Sequence, residues 1–403
     1  MHAAITIVQK IVRPVSAYLD ARNARNLVSA VEALLSSRRL VLVELARHWP
    51  GAERVVGPLK RLDRLLGNRA VQAVRERFYA VAAAWLMRSE QPVLVVDWSE
   101  LKHDRRWLLL RAGVAVGGRT MTVYEEVHPR AKSGSRRVHS AFLKRLHSLL
   151  APTIRPIVIT DAGFKNPWFQ AVEALGWHWI GRVRQRTRAR WLETNQGEWI
   201  ACKTLYVQAS SKACSLGEVI LARSNPRHCR LVLVRRAPRG RVDLNRYGKR
   251  SQDTVSRTIA KRAREPWLLA VSCSLDEWSA ASVVALYARR MQIEQSFRDL
   301  KSHRYGCAFD DTLTRSAERL QMLLLIYMLA ALAAWLVGLA ATAQAQARIC
   351  TASLLKRYSV LWIGWACLRH GAAQHITVAL PVATPPGPPM CNPIRGQLLA
   401  AIA

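Results

Sequence analysis

The chain has 403 residues, half of them hydrophobic, and carries 61 Lys and Arg against 27 Asp and Glu, a formal charge of +34. Apolar content on that scale excludes wholesale disorder, and the length allows two or three domains with a sizeable core. A cationic excess this large repels itself without a polyanion, so nucleic acid is the first candidate partner and an anionic membrane surface the second.

The eight cysteines include no Cys-x-x-Cys pair and no zinc-ligand spacing. They read as buried or incidental thiols of a reducing compartment. The first residues, Met-His-Ala-Ala-Ile-Thr-Ile-Val-Gln-Lys, lack the apolar core and cleavage site of a signal peptide, so the cytoplasm is the expected location.

Residues 1–88 read as a helical domain. Val28 to Leu35 and Leu40 to Trp49 are amphipathic runs, the second stopped by Pro50-Gly51. Pro58 to Leu66 follows, with Lys60, Arg61 and Arg64 on its polar side, and Gly67-Asn68 ends it. Short helices with a basic later member suit a helix-turn-helix-like DNA reader, and equally a plain bundle with a charged face. Val71 to Leu86 is a further helix.

From Pro92 the pattern changes. Val93-Leu94-Val95-Val96 is an apolar run ending in Asp97, a strand buried on both faces. Trp107 to Val114 and Thr120 to Val127 are expected antiparallel strands turned at Gly117-Gly118. An amphipathic helix covers Val138 to Leu150. Ile157-Val158-Ile159-Thr160 then ends in Asp161, repeating the first arrangement, and a helix at Trp168 to Leu175 and a strand at Trp179 to Val183 follow. Two strands thus deliver carboxylates to the edge where α/β sheets open into sites. Either Asp taken alone is an ordinary N-cap or turn residue.

Residues 185–264 read as a β-rich insertion with a cationic segment. Glu198 to Val207, Glu218 to Ser224 and Leu231 to Arg236 alternate like strands, and Arg246, Lys249, Arg250, Arg257, Lys261, Arg262 and Arg264 form the basic stretch. Trp267 opens another apolar strand, Leu268 to Val271. Leu320 to Ala345 has no formal charge and is long enough to span a bilayer, but Gln321 and a face of alanines suit a buried helix instead, so no membrane partner is expected. Lys356 to Leu368 is a helix and Pro381 to Pro389 a Pro-rich tail.

The stretch from Tyr287 to Lys301 reads as one helix. At about 100° per residue, Tyr287, Arg290, Glu294 and Lys301 share a face within about 60°, beside a core stripe of Leu286, Ile293, Phe297 and Leu300. By itself the Arg290–Glu294 pair is a common surface salt bridge. With Asp97 and Asp161 upstream, Glu294 completes a candidate carboxylate triad, a hard-ligand set suited to two Mg²⁺, or Mn²⁺ in their place, and to in-line phosphoryl displacement. Arg290 and Lys301 can clamp phosphates and Tyr287 can donate a hydrogen bond to another.

Tyr287, Arg290, Glu294 and Lys301 carry the Tyr-(2)-Arg-(3)-Glu-(6)-Lys spacing. On that signature, with Val-Asp97-Trp-Ser and Ile-Thr-Asp161-Ala-Gly-Phe before it, the chain resembles the bacterial DDE insertion-sequence transposases of the insertion sequence 4 superfamily over about residues 40–340. Lys60 to Asn68 resembles the end of that family's N-terminal helical domain. The resemblance implies an α/β fold, a ribonuclease H-like core split as 89–184 and 265–346 by the β-rich insertion at 185–264, with helical regions at 1–88 and 347–403. It implies metal binding by Asp97, Asp161 and Glu294, nicking at the element ends, a hairpin intermediate and joining to target DNA. It implies DNA contacts from Tyr287, Arg290, Lys301, Lys60, Arg61 and Arg64, stacking of a flipped base on Trp267, and a synaptic homodimer. One departure is that Ala162-Gly163-Phe164 follow the second Asp, where better-known members carry polar or acidic residues. Rival readings are a catalytically inactive DNA-binding remnant or inhibitor, a membrane-associated protein built on 320–345, and a plain metal-dependent nuclease.

Overall fold

The computed structural model describes residues 1–184, 187–192, 197–237, 264–344 and 358–369, with residues 249, 250, 252–254, 257, 258, 261 and 378. Arg246 and Arg262 of the expected basic stretch, and the Pro-rich tail, lie outside the described residues. The chain divides into two compact units, Met1–Pro156 with Arg289–Ala403, and Ile157–Ala288.

The first unit is built around one apolar helix. Helices α1 (His2–Val12), α2 (Ala21–Ser37), α3 (Leu42–Arg47), α4 (Val56–Gly67), α5 (Arg69–Ala73) and α6 (Arg75–Leu86) precede the strands. The α2 N-terminus is capped by the Asp20 carboxylate, which accepts from Asn23 N–H at 2.8 Å. Near the C-terminal end of the unit, α10 (Met291–Lys301) is followed by α11 (Ala317–Ala343) and α12 (Val360–Arg369), while α7 (Arg136–Ser148) follows the strands. Helix α11 packs against α1, α2, α4, α6 and α12, and its most apolar window is wholly buried in protein. Its lack of a polar face is therefore explained by neighbours on every side.

Strands β1 (Val93–Glu100), β2 (Trp107–Ala115) and β3 (Thr120–Pro129) form an antiparallel meander in the order β3-β2-β1. Helices α6, α7, α10 and α11 pack on β3, and α10 also touches β1 and β2. Arg111 on β2 faces Glu125 on β3 in register, and the two form a fully buried ion pair at 2.7 Å. Tyr79 Oη donates to the same carboxylate at 2.9 Å and Arg75 to the Glu125 carbonyl at 3.0 Å, so the buried charge is satisfied from α6 as well. A one-residue slip of β3 would break that pairing, so the pair enforces register.

The second unit is a mixed sheet with helices on it. Its strands are β4 (Ile157–Thr160), β5 (His178–Val183), β6 (Arg188–Trp191), β7 (Ile200–Ala201), β8 (Cys214–Leu221), β9 (Arg227–Val234) and β10 (Trp267–Val271), in the order β4-β5-β10-β9-β8-β6-β7. Only β4 and β5 pair in parallel among these; the rest are antiparallel. Helix α8 (Asn166–Glu173) lies on β5, where Phe169 stacks on Trp179 at 4.1 Å and a Cβ on Gly181 would collide with the Phe169 ring. Helix α9 (Ala280–Ala288) packs on β5, β8 and β9.

Several local expectations change, among them the Val71 to Leu86 helix, which divides into α5 and α6 at Val74. Residues 198–207 give only the two-residue β7 and a 3-10 turn at Thr204–Gln208, because Thr204 Oγ1 donates to the Ala201 carbonyl at 2.8 Å and bends the chain out of the ladder. The expected helix through Tyr287 and Lys301 is two helices: at Arg289–Arg290 the bonds shorten to Gln292 N–H on Arg289 O (2.9 Å) and Ile293 N–H on Arg290 O (3.2 Å). Asp97 lies inside β1 rather than at its end, since the strand runs on through Trp98 and Ser99 to Glu100.

Candidate active site

Helix α10 is stapled to the strands by side chains the hydrophobic pattern does not announce. Ile293 and Leu300 are fully buried and Phe297 nearly so, the apolar stripe that sets the helix down. On one flank Ser296 Oγ donates to the Thr120 carbonyl at 3.0 Å and accepts from Thr120 N–H at 2.8 Å, while Gln292 Oε1 accepts from Gly117 N–H at 3.2 Å. Asp299 pairs with Arg119 on the same flank. Burial pushes the Asp299 carboxyl up and the Arg119 guanidinium opposes it.

The other flank of α10 meets β1. Arg290, at the α10 N-terminus, donates from Nη2 to Glu294 Oε1 at 2.8 Å and from Nη1 to Asp97 Oδ2 at 3.4 Å. The side chains are 17% exposed for Arg290, 15% for Asp97 and 34% for Glu294, half-shielded from water but reachable. One guanidinium therefore bridges two carboxylates that the sequence holds far apart. Asp97 Oδ1 also accepts from Trp98 N–H at 2.8 Å, which fixes its rotation. One helical stretch further on, Lys301 Nζ donates to Ser99 Oγ at 3.0 Å and to the Glu100 carbonyl at 2.9 Å. Burial lowers the Lys301 pKa, and the carboxylates of Asp310 and Glu100 oppose the shift. In this state Lys301 ties α10 to β1.

Behind Asp97 the strand alternates, so Trp98 points to the opposite face. Its indole Nε1 donates to His139 Nε2 at 3.0 Å, which requires a neutral imidazole protonated on Nδ1. His139 sits on the core face of α7 with Phe142, Leu143 and Leu146, and is held near pKa 4 by burial first and by His128 second. His128 in turn bonds Glu126 Oε2 at 2.7 Å. Sequence reading missed this support; its signal was a His in register with the α7 apolar stripe.

In the second unit, Asp161 follows β4 directly and turns its carboxylate back on the chain: Oδ1 accepts from Gly163 N–H at 2.7 Å. A Cβ on Gly163 would stand 2.9 Å from that Oδ1, so the glycine clears the space for the carboxylate. Phe164 and Trp168 then pack together under the turn, with centroids 4.7 Å apart. In the same unit Tyr287 is buried and meets Trp267 edge-on at 5.0 Å. Trp267, first residue of β10, carries the Arg236 guanidinium over its ring at 4.9 Å.

Lys60, Arg61 and Arg64 line the exposed side of α4, while Pro58, Leu62, Leu65 and Leu66 are buried. Asp63, between them, is taken by Arg319, so the cationic side is not neutralised from within α4. The structure thus brings together Asp97, Arg290 and Glu294, with Lys301 beside them, and separately Trp267 with Tyr287.

Two oxygen donors facing one cation form a hard-ligand set, and the guanidinium between Asp97 and Glu294 marks where positive charge is favoured. These residues fit a hard divalent ion. A family model described as the transposase DDE domain matches residues 88–332, more than half of the chain. The chain belongs to this family. Membership in the transposase DDE domain family makes it a transposase- or nuclease-type enzyme, with DNA as its substrate class and divalent metals as the family's cofactors. The matched span includes Asp97, Asp161, Trp267, Tyr287, Arg290, Glu294 and Lys301, and leaves out α4. No curated protein matches the chain.

Proposed function

We propose that this DDE-domain chain is the transposase of an insertion sequence of the insertion sequence 4 type. It binds the terminal inverted repeats, cleaves the DNA and joins the freed ends to a target by cut-and-paste through a hairpin. It works on nucleoid DNA in the bacterial cytoplasm, as a homodimer in a synaptic complex. The observation that carries the reading is the Arg290 guanidinium held by both Asp97 and Glu294, two acids 193 and 4 positions from it in sequence.

Asp97, Asp161 and Glu294 are the metal-binding carboxylates of this reading, Asp161 being included on sequence order and family membership alone. Two Mg²⁺ ions, or Mn²⁺, would activate the attacking oxygen and stabilise the leaving one. The chain's own part is to hold and orient. Arg290, which bridges Asp97 and Glu294 here, would be free to clamp a phosphate beside the scissile bond if ions were held by those carboxylates, and its planar fork suits two oxygens. Lys301 supplies the second cation from its seat on β1. Trp267 stacks a flipped base on the ring face away from Arg236, and Tyr287 holds the ring's edge. Lys60, Arg61 and Arg64 contact backbone phosphates at the element end.

The test begins with DNA carrying the inverted repeats that flank the coding region. Cleavage and joining are measured for the wild type and for Asp97→Ala, Asp161→Ala and Glu294→Ala. Each variant is expected to bind ends and fail to cleave. Cleavage surviving in one variant removes that residue from the set. A wild type that binds without cutting is the inactive remnant, and one that cuts without end preference or joining is a plain nuclease.

A further inference from the structure

Neighbouring strands of the second unit place one ligand each at the same corner. Glu218 on β8 faces Arg230 on β9 in register, and Ile220 faces His228, so Glu218 and His228 are diagonal neighbours on one face. The β8–β9 register shifts between Ser215 and Glu218, with Gly217 at φ +85°, and such a bulge re-aims the side chain beside it. The result is a direct contact, His228 Nε2 to Glu218 Oε2 at 2.7 Å. On the other side of β9, Val271 of β10 pairs with Arg230. Two residues further along each strand, that register brings Cys273 beside His228. The carboxylate oxygen, imidazole nitrogen and thiol sulfur all lie within 4.8 Å of one another.

We propose that Glu218, His228 and Cys273 bind one zinc-class divalent ion, with water in the fourth position. Ligand atoms around tetrahedral zinc sit at about 2.0–2.3 Å from the ion, so a spread of 4.8 Å closes with small side-chain rotations. A mixed oxygen, nitrogen and sulfur set suits a borderline-soft ion, whereas Asp97, Asp161 and Glu294 offer oxygen alone. The nearby cations are engaged elsewhere. Arg230 donates to the carbonyls of Leu275, Asp276 and Trp278, and Arg227 pairs with Glu173. An open cleft of about 340 Å³ is lined by His228 and Cys273 together with His178, Trp177, Ser272 and Ser274, which leaves room for the water. Burial, Glu218 and Asp276 push the bare Cys273 thiol up; a bound cation reverses that balance, and the thiol proton leaves to solvent as the metal–sulfur bond forms. The ion would clip β8, β9 and the end of β10 together. The spacing rules that exclude zinc along the sequence do not see this site, because each ligand comes from a different strand.

The test uses the full-length protein, stripped of metal by chelation and titrated with Co²⁺. Expected is one equivalent bound with tetrahedral visible bands and a thiolate-to-cobalt charge-transfer band, displaced by Zn²⁺ and untouched by Mg²⁺. Cys273→Ser should lose the charge-transfer band, and Glu218→Gln and His228→Gln should weaken Co²⁺ binding at least about tenfold. Asp97→Asn should leave the spectrum unchanged, which separates this site from the catalytic reading. Circular dichroism checks the fold of each variant; if Cys273→Ser fails to fold, the Glu218→Gln affinity decides, since that side chain is 42% exposed. A missing charge-transfer band, the same band in Cys273→Ser, unchanged affinity in Glu218→Gln, or equal displacement by Mg²⁺ overturns the proposal and leaves a plain Glu218–His228 hydrogen bond.

Discussion

Arg290 reaches back to Asp97 across 193 residues of chain while holding Glu294 one turn ahead on its own helix. Its single positive charge offsets two carboxylates that would otherwise face each other half-shielded from water. Removing it leaves that repulsion uncompensated. Arg290→Ala is expected to destabilise the metal-free protein by about 1–3 kcal/mol, and added Mg²⁺ to restore part of the loss. Urea unfolding with and without Mg²⁺ measures both. Equal loss in the two conditions would show that the guanidinium and the ion do not share a place.

Lys301 makes a different prediction from a solvent-facing phosphate clamp. Its ammonium is committed to Ser99 Oγ and the Glu100 carbonyl, on the strand that carries Asp97. Lys301→Met keeps the stem and removes both bonds, and should cost about 1–3 kcal/mol of stability as well as activity. Lys301→Arg should not rescue, because a planar fork does not fit a site built for a compact cation. A stable Lys301→Met protein that loses only DNA affinity would assign the residue to DNA alone.

Much of this was legible in the sequence because it is periodic. The β2–β3 hairpin followed from two apolar runs around Gly117-Gly118, and the core face of α10 from Ile293, Phe297 and Leu300. The break at Arg289–Arg290 carries no Gly or Pro, so composition could not mark it. Asp97 was expected at a strand end because Val96 closes the apolar run, yet ladder bonds to β2 continue through Glu100 whatever the side chains are. The Ser296–Thr120 and Trp98–His139 contacts join elements remote in sequence; the α7 apolar stripe marks His139 as buried but does not name its partner.

His139 gives the protein an acid-sensitive joint. Its pKa is held at about 4 in the folded chain against about 6.5 in an unfolded one. Above pH 6.5 both states are neutral and the Trp98 bond is intact. As pH falls from about 6.5 to about 4 the unfolded chain takes up the proton first, so stability drops, by roughly 3 kcal/mol at most. His139→Phe should flatten the stability profile over that window. An unchanged acid slope in the variant would mean that other groups, Glu126 among them, set it.

Gly163→Ala separates geometry from stability at Asp161. The added methyl would stand 2.9 Å from Asp161 Oδ1, and the Gly163 backbone lies outside the left-handed region, so that contact is the obstacle to an alanine. The carboxylate must rotate away and give up the Gly163 N–H bond. Strand cleavage should fall on the order of a hundredfold, the effect of a misplacement of about 1 Å, while the melting temperature stays close to wild type. Matched activity in Gly163→Ala would show that the turn does not set the working position of Asp161.

Two glycines decide whether α12 can seat on α11. A Cβ on Gly364 would fall 1.7 Å from the Ala334 carbonyl oxygen, and one on Gly338 would fall 2.1 Å from the Val360 carbonyl oxygen. Both obstacles are backbone, so no rotamer change relieves them. The helices approach this closely because neither has a side chain at the crossing, and Leu361, Trp365 and Leu368 of α12 are buried. Gly364→Ala should therefore lift α12 off α11 and cost at least about 3 kcal/mol, more than an exposed Gly→Ala change would ever cost. Binding of a hydrophobic dye and faster proteolysis near residues 358–369 are the expected signs. Gly364→Ala with wild-type melting and no dye binding would show that the two helices do not meet at this crossing.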